Sequence, residues 1–170
     1  MDLKAFIKDV PNFPKQGILF KDISPLLKSN TATRNAIEKL AEPLRELGAD
    51  HVVGIESRGF LLGMLLAQEL GVGFTPIRKP GKLPGEIIVE TYELEYGLDT
   101  LEMQQNAIKK GDKVILHDDV LATGGTAMAA CNLIRKCGGE ILEFNFLLEL
   151  ENLNGRKKLR NVPLRTLLTY

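Results

Sequence analysis

The chain has 170 residues, 44% of them hydrophobic, with 22 Lys and Arg against 22 Asp and Glu. That length suits one domain with a core of its own, and the zero net charge gives no electrostatic reason to expect a nucleic-acid partner. No apolar run reaches the length of a membrane span and MDLKAFIKDV has no signal-peptide pattern, so a cytoplasmic protein with no membrane partner is expected.

In chain order, residues 1–30 are broken by Pro11, Pro14, Gly17 and Pro25, with a short extended stretch at 18–20. Ser24-Pro25 reads as a capped helix start. Residues 31–47 have helical period, with Ile37, Leu40, Ala41, Leu44 and Leu47 on one face, a restart at Pro43 and a stop at Gly48. Residues 50–55 form a strand. Glu56-Ser57-Arg58-Gly59 then makes a strand-to-helix turn whose amides and guanidinium suit an anion; a capped helix with a surface arginine fits the same spacing equally well. Residues 59–70 are apolar on every side, which predicts a helix buried against the sheet or a second subunit. Gly71-Val72-Gly73 lacks a third glycine and follows a helix, so it is no dinucleotide loop.

A strand at 74–77 leads into Arg78-Lys79-Pro80-Gly81-Lys82-Leu83-Pro84-Gly85, a rigid cationic loop. Residues 86–93 alternate as a strand, and 101–108 read as a short helix capped by Asp99 or Thr100. His117 reads as a packing residue. Cys131 and Cys137 lie about 240° apart on one predicted helix, so they are reduced packing residues, and with His51 and His117 they give no zinc spacing. Strands follow at 140–150 and 164–170, and Arg156-Lys157-Lys158 reads as a solvated face.

The most informative stretch is 113–126, KVILHDDVLATGGT. An apolar run, Val114-Ile115-Leu116, meets two carboxylates, Asp118 and Asp119. A loop of Ala122, Thr123, Gly124, Gly125 and Thr126 follows, and then a helix to Cys137. Glycines let backbone amides approach an anion, threonines add donors, and a helix N-terminus favours negative charge. A phosphate would repel the acids. As acceptors they suit sugar hydroxyls or a divalent cation beside it. The pattern reads as a sugar-phosphate site. Alternation of strands and helices across 50–150 predicts an α/β fold with an open parallel sheet, whose strand ends bring turns 56–59, 78–85 and 118–126 together.

Asp118-Asp119-Val120-Leu121-Ala122-Thr123-Gly124-Gly125-Thr126 resembles the phosphoribosyl pyrophosphate (PRPP) signature of the type I phosphoribosyltransferases, in the version of their adenine-specific members. Gly17-Ile18-Leu19-Phe20-Lys21-Asp22-Ile23-Ser24 is similar to the family's base-recognition arm, though the family often has arginine where this chain has Lys21. The 56–59 turn resembles its pyrophosphate loop, which carries a non-proline cis peptide, here expected at or beside Glu56-Ser57. Residues 78–84 resemble its Arg-Lys-x-Gly-Lys-Leu-Pro segment. Residues 92–97 and 101–104 are similar to its closing catalytic loop.

The resemblance implies the type I phosphoribosyltransferase fold over 1–170, an open, mainly parallel sheet flanked by helices. Residues 1–30 would form a small N-terminal hood and 50–150 the PRPP-binding core. It implies transfer of the phosphoribosyl group from PRPP to adenine, giving AMP and pyrophosphate, with Mg²⁺ carried on PRPP and Asp118 and Asp119 as its candidate protein contacts. The expected roles are Ala122, Thr123, Gly124, Gly125 and Thr126 on phosphate, Asp118 and Asp119 on ribose, and Ser57, Arg58, Arg78, Lys79 and Lys82 on pyrophosphate. Leu19, Phe20 and Lys21 fall to adenine, Glu95 to proton exchange, and Arg58 and Glu95 to catalysis. A homodimer is expected. Transfer to hypoxanthine, guanine, xanthine or orotate, and a non-catalytic PRPP-binding regulator, are the competing readings.

Overall fold

The computed structural model describes residues 1–93 and 97–170. Two short strands, β1 (Lys8–Pro11) and β2 (Leu19–Asp22), pair antiparallel as a ribbon separate from the main sheet. In α1 (Ser24–Lys28) Ser24 is the first helical residue rather than the cap. The Asp22 carboxylate accepts its amide at 2.9 Å and its hydroxyl at 2.6 Å. α2 (Asn30–Ala41) buries Ala36, Ile37, Leu40 and Ala41. Pro43 then tightens the chain into a 3₁₀ turn, Glu42–Leu47, which stops at left-handed Gly48.

From there strands and helices alternate: β3 (His51–Ile55), α3 (Gly59–Leu70) and β4 (Gly73–Ile77). A hairpin of β5 (Ile87–Glu93) and β6 (Leu98–Gln104) comes next. β7 (Lys113–Leu121), α4 (Gly125–Lys136), β8 (Glu140–Glu149) and β9 (Leu164–Thr169) complete the order. Five strands pair parallel as β4-β3-β7-β8-β9. Successive side chains of a strand point to opposite faces. Val53 and Leu116 therefore enter a core with α4, while Val52 and Ile115 enter another with α2 and α3. Helices cover both faces, which is why β7 carries the apolar run Val114-Ile115-Leu116 ahead of buried His117 and its acids.

Three expectations are corrected. Residues 101–108 are not a helix: Leu98–Gln104 is a strand paired with β5 throughout. Leu, Glu, Met and Gln favour helix, but Leu101 and Met103 are fully buried in the core and Glu102 exchanges backbone hydrogen bonds with Arg78 at 2.9 and 2.8 Å. Asp99 is accordingly a strand residue, not a helix cap. Asp118 and Asp119 do not follow the central strand; they lie inside it, since β7 runs on to Leu121. Arg156 is not merely solvated: its Nε donates to both oxygens of buried Glu149 at 3.0 and 2.9 Å.

His117 is the neutral packing residue expected. It is fully buried against Asn145 Oδ1 at 2.9 Å, and burial lowers its pKa to about 4.

Candidate active site

β4, β3 and β7 are neighbours and run in one direction, so the turns after them open at one edge of the sheet. A cleft of about 480 Å³ lies there, lined by Phe20, Ser57, Arg58, Lys79, Asp118, Asp119, Ala122 and Thr126 among others. A smaller niche of about 70 Å³ adjoins it, with Thr123 and Gly124 in its wall. The expected cis peptide is at Glu56-Ser57.

The 56–59 turn lies directly on β7. A Cβ on Gly59 would come 2.7 Å from Asp118 Oδ1 and 3.2 Å from Asp118 Cα, so only glycine permits that approach. The next residue back, Arg58, is thereby carried to the acids. Its Nε stands 2.8 Å from Asp119 Oδ2, a charge contact to a carboxylate 6% exposed. Asp118 Oδ1 accepts the Asp119 amide at 2.9 Å. Burial pushes the Asp118 carboxyl well above the ordinary aspartate range, and the neighbouring Asp119 charge adds to this. Burial raises Asp119 too, against the pull of Arg58.

A stability consequence follows from Asp118. Its folded pKa lies above the unfolded one, so the ligand-free protein loses stability as pH rises from the ordinary aspartate value through the raised value. Asp118→Asn removes that loss. Thermal denaturation should show the variant melting above wild type at neutral pH, with the gap closing as pH falls to about 4.

The smaller niche is built at the start of α4. Gly124 is left-handed, with φ 79°, and it turns the chain into the helix at Gly125. The first amides of a helix have no partner within it, so they and the threonine hydroxyls face the niche as anion donors. Gly155 supports this loop from below. A Cβ there would sit 2.3 Å from the Ala122 carbonyl oxygen, and one on Gly124 would sit 2.6 Å from that of Gly155. Arg156, forked onto Glu149 at the end of β8, fixes Gly155 in place.

The cations are held by carboxylates that sequence reading did not single out. Glu56, with its side chain 7% exposed, takes the Lys82 ammonium, Arg78 Nε at 3.3 Å and the Lys79 amide at 2.8 Å. Burial opposes its charge, but these donors outweigh it and hold Glu56 below the usual range. Lys79 pairs instead with Asp99, which also accepts Tyr92 Oη at 2.9 Å; Tyr92 Oη is 3.2 Å from Thr126 Oγ1. Tyr92 and Asp99 are opposed across the hairpin, so this chain of contacts joins the 122–126 loop to the cationic 78–85 loop. Glu95 lies outside the described residues.

Phe20 of β2 reaches the same cleft from the ribbon. Arg58 Cζ stands 4.7 Å from the Phe20 ring centroid, and Phe13 meets that ring edge-on at 5.1 Å. Phe20 and Arg58 also wall a second, more apolar cleft of about 490 Å³ with Val10, Phe13 and Leu61. The side chains of Leu19, Lys21, Arg78 and Lys82 do not line the main cleft. Lys21 points the other way, onto Asp9 at 2.6 Å.

As for a metal, no group of three or more His, Cys, Asp or Glu among the described residues is arranged to hold one. The donor set fits Mg²⁺ carried on a phosphorylated substrate, because Mg²⁺ needs only one or two protein carboxylates beside substrate phosphates. Asp119 Oδ2 is buried and makes no hydrogen bond; its charge partner is the Arg58 guanidinium at 2.8 Å, which a bound cation would have to displace.

Comparison with known proteins gives the family. Residues 26–168 match the phosphoribosyl transferase domain. The chain belongs to that family. The adenine phosphoribosyltransferase of Flavobacterium johnsoniae is 58% identical over 170 residues, covering 100% of both chains. The crystal structure of adenine phosphoribosyltransferase from Rhodothermus marinus DSM 4252 superposes with a TM-score of 0.95 at 53% identity, covering 99% of this chain and 96% of that one. The Saccharomyces cerevisiae enzyme, solved with an imino-altritol bisphosphate and adenine, gives 0.93 at 48% identity, with 98% and 97% covered. The five-strand parallel sheet flanked by helices is the type I phosphoribosyltransferase fold.

Proposed function

We propose that the protein transfers the 5-phosphoribosyl group from PRPP to adenine, releasing AMP and pyrophosphate, as a step of purine salvage. One observation carries this reading: buried Asp119, half-buried Asp118 and the Gly/Thr start of α4 share a cleft with an aromatic arm, at adjacent parallel strand ends. Full-length likeness to adenine phosphoribosyltransferases supports the choice of base.

The residues divide the work by charge. Amides and hydroxyls of 122–126 take the 5′-phosphate. Asp118 and Asp119 accept from the ribose hydroxyls and favour the positive charge that grows on the ring as its bond to pyrophosphate breaks. Ser57, Arg58 and Lys79 hold the leaving pyrophosphate, with Arg78 and Lys82 joining when the polyanion competes with Glu56 for them. Asp118 or Asp119 would hold the Mg²⁺ carried on PRPP, and when bound the metal would supply further positive charge to the leaving group. Phe20 stacks on adenine, the Leu19 backbone meets its edge, and Glu95 takes the proton that the purine nitrogen loses.

The same reading includes residues 1–170 as one domain, a cytoplasmic location and a homodimer. No helix of the described residues is long and apolar enough to cross a membrane. α3 turns Leu61, Met64 and Leu65 outward, 47%, 55% and 38% exposed, an apolar patch that a second copy would cover.

The deciding experiment supplies adenine and PRPP with and without Mg²⁺. AMP and pyrophosphate should appear in equal amounts and depend on the metal, with hypoxanthine, guanine, xanthine and orotate far slower. PRPP binding without pyrophosphate release would overturn the reading. Phe20→Ala should raise the KM for adenine about tenfold and leave that for PRPP nearly unchanged, because stacking on a base is worth ~1–3 kcal/mol. Equal effects on both would make Phe20 a core residue. Glu95→Gln should lower kcat with both KM values held, and an unaltered kcat would remove Glu95 from proton transfer.

A further inference from the structure

The ribbon of β1 and β2 makes no ladder with the five-stranded sheet. A two-stranded ribbon is marginal by itself, so side chains must fix its position. Its register sets Val10 opposite Phe20 and Asp9 opposite Lys21. Opposed residues share a face and neighbours alternate. Phe20 therefore looks into the cleft, and Lys21 looks out of its back.

Behind the ribbon stands Tyr170, which follows the edge strand β9. Its amide donates to the Glu149 carbonyl at 3.0 Å and its carbonyl accepts the Glu151 amide at 3.0 Å, so its backbone is tied to the end of β8. The Lys21 ammonium lies 3.9 Å from the centre of the Tyr170 ring and 2.6 Å from Asp9 Oδ1, and Lys21 is only 8% exposed. Lys4 Nζ approaches the same ring at 4.9 Å and donates to the Thr169 carbonyl at 2.7 Å. The Tyr170 hydroxyl is buried and makes no hydrogen bond, so the ring is what Tyr170 offers the ribbon.

We infer that Lys21 is a positioning residue for the base: its ammonium, clamped between Asp9 and the face of Tyr170, sets the place of Phe20 in the cleft. The Lys21 side chain acts through the strand, from the face turned away from the cleft. The inference rests on the reading of Phe20 as the adenine stack, and it gives a role to the lysine that stands where the family often has arginine. A cation on an aromatic face, desolvated and paired, is strong enough to hold a ribbon that has no backbone hydrogen bond to the main sheet among the described residues.

The test uses the full chain and four variants, each checked by thermal denaturation, with KM for adenine, KM for PRPP and kcat measured. Lys21→Met and Tyr170→Leu should each raise the adenine KM about tenfold with the PRPP KM within about twofold, the size of effect expected on losing a desolvated cation–π contact. The double variant should be no worse than either alone. Lys21→Arg and Tyr170→Phe, which keep cation and ring, should restore wild-type KM values. An effect of Lys21→Met without one of Tyr170→Leu would mean direct contact with the base and would overturn the inference. So would equal rises in both KM values, or a Tyr170→Phe as impaired as Tyr170→Leu. Phe20→Ala separates the two layers: if it spares the adenine KM, the stacking reading fails first; if it raises that KM while Lys21→Met does not, only the clamp fails.

Discussion

Asp119→Asn is expected to lower kcat/KM for AMP formation by roughly 10²–10³-fold, the size of loss seen when one preorganised charge-stabilising group is removed. Asparagine keeps the shape of the side chain and an acceptor oxygen; it removes only the charge. That charge sits in a carboxylate 6% exposed, where a field aimed at a developing sugar cation is little screened by water. The fold should survive, because burial already disfavours the ionised form of Asp119. The variant should therefore melt at or above the wild-type temperature while turnover collapses. Steady-state pyrophosphate release and a thermal melt on the same preparation check both halves. Turnover within a few-fold of wild type would remove Asp119 from the chemistry.

Arg58→Met is expected to fail in two ways at once. Methionine keeps an apolar stem near the Phe20 ring but leaves Asp119 Oδ2 without the guanidinium at 2.8 Å. Breaking a buried pair from one side costs about 3 kcal/mol here, the low end of the usual range, since Arg58 is itself a third exposed. For a chain of this size that is a fall of about 6–12 °C in melting temperature. Turnover should also drop, because the leaving pyrophosphate loses a cation. The double variant Arg58→Met with Asp119→Asn separates the effects: melting should recover, since no charge is left unpaired, and activity should not. A double variant that melts as low as Arg58→Met would show that the loss came from packing rather than charge.

The core of the site was legible because each piece carries a local signal. Acids before a Gly/Thr loop close an apolar strand from within it, an arginine at a helix start and a cationic Pro/Gly loop each follow one, and parallel strands bring such strand ends to one edge. What escaped notice depends on pairing between distant segments. Tyr92 and Asp99 meet only because β5 and β6 pair in one register, and the local preference of Leu101-Glu102-Met103-Gln104 for helix hid that hairpin. Gly155 supports the phosphate loop through backbone approach alone, which nothing in the residues around it announces. Glu56 looked like part of a turn, and its grip on Lys82 and Arg78 needs the fold to appear. Lys21 is different, for the signal was present. Two adjacent residues of one strand cannot both face the base, so assigning Phe20 to the cleft already directed Lys21 away from it.

The placement of the acids is tested most directly by a crystal structure of the protein with ribose 5-phosphate. The phosphoryl group should lie against the amides and hydroxyls of Thr123 to Thr126, with the ribose hydroxyls within hydrogen-bond distance of Asp118 and Asp119. A phosphoryl group seated elsewhere, or a sugar that neither carboxylate touches, would contradict the account.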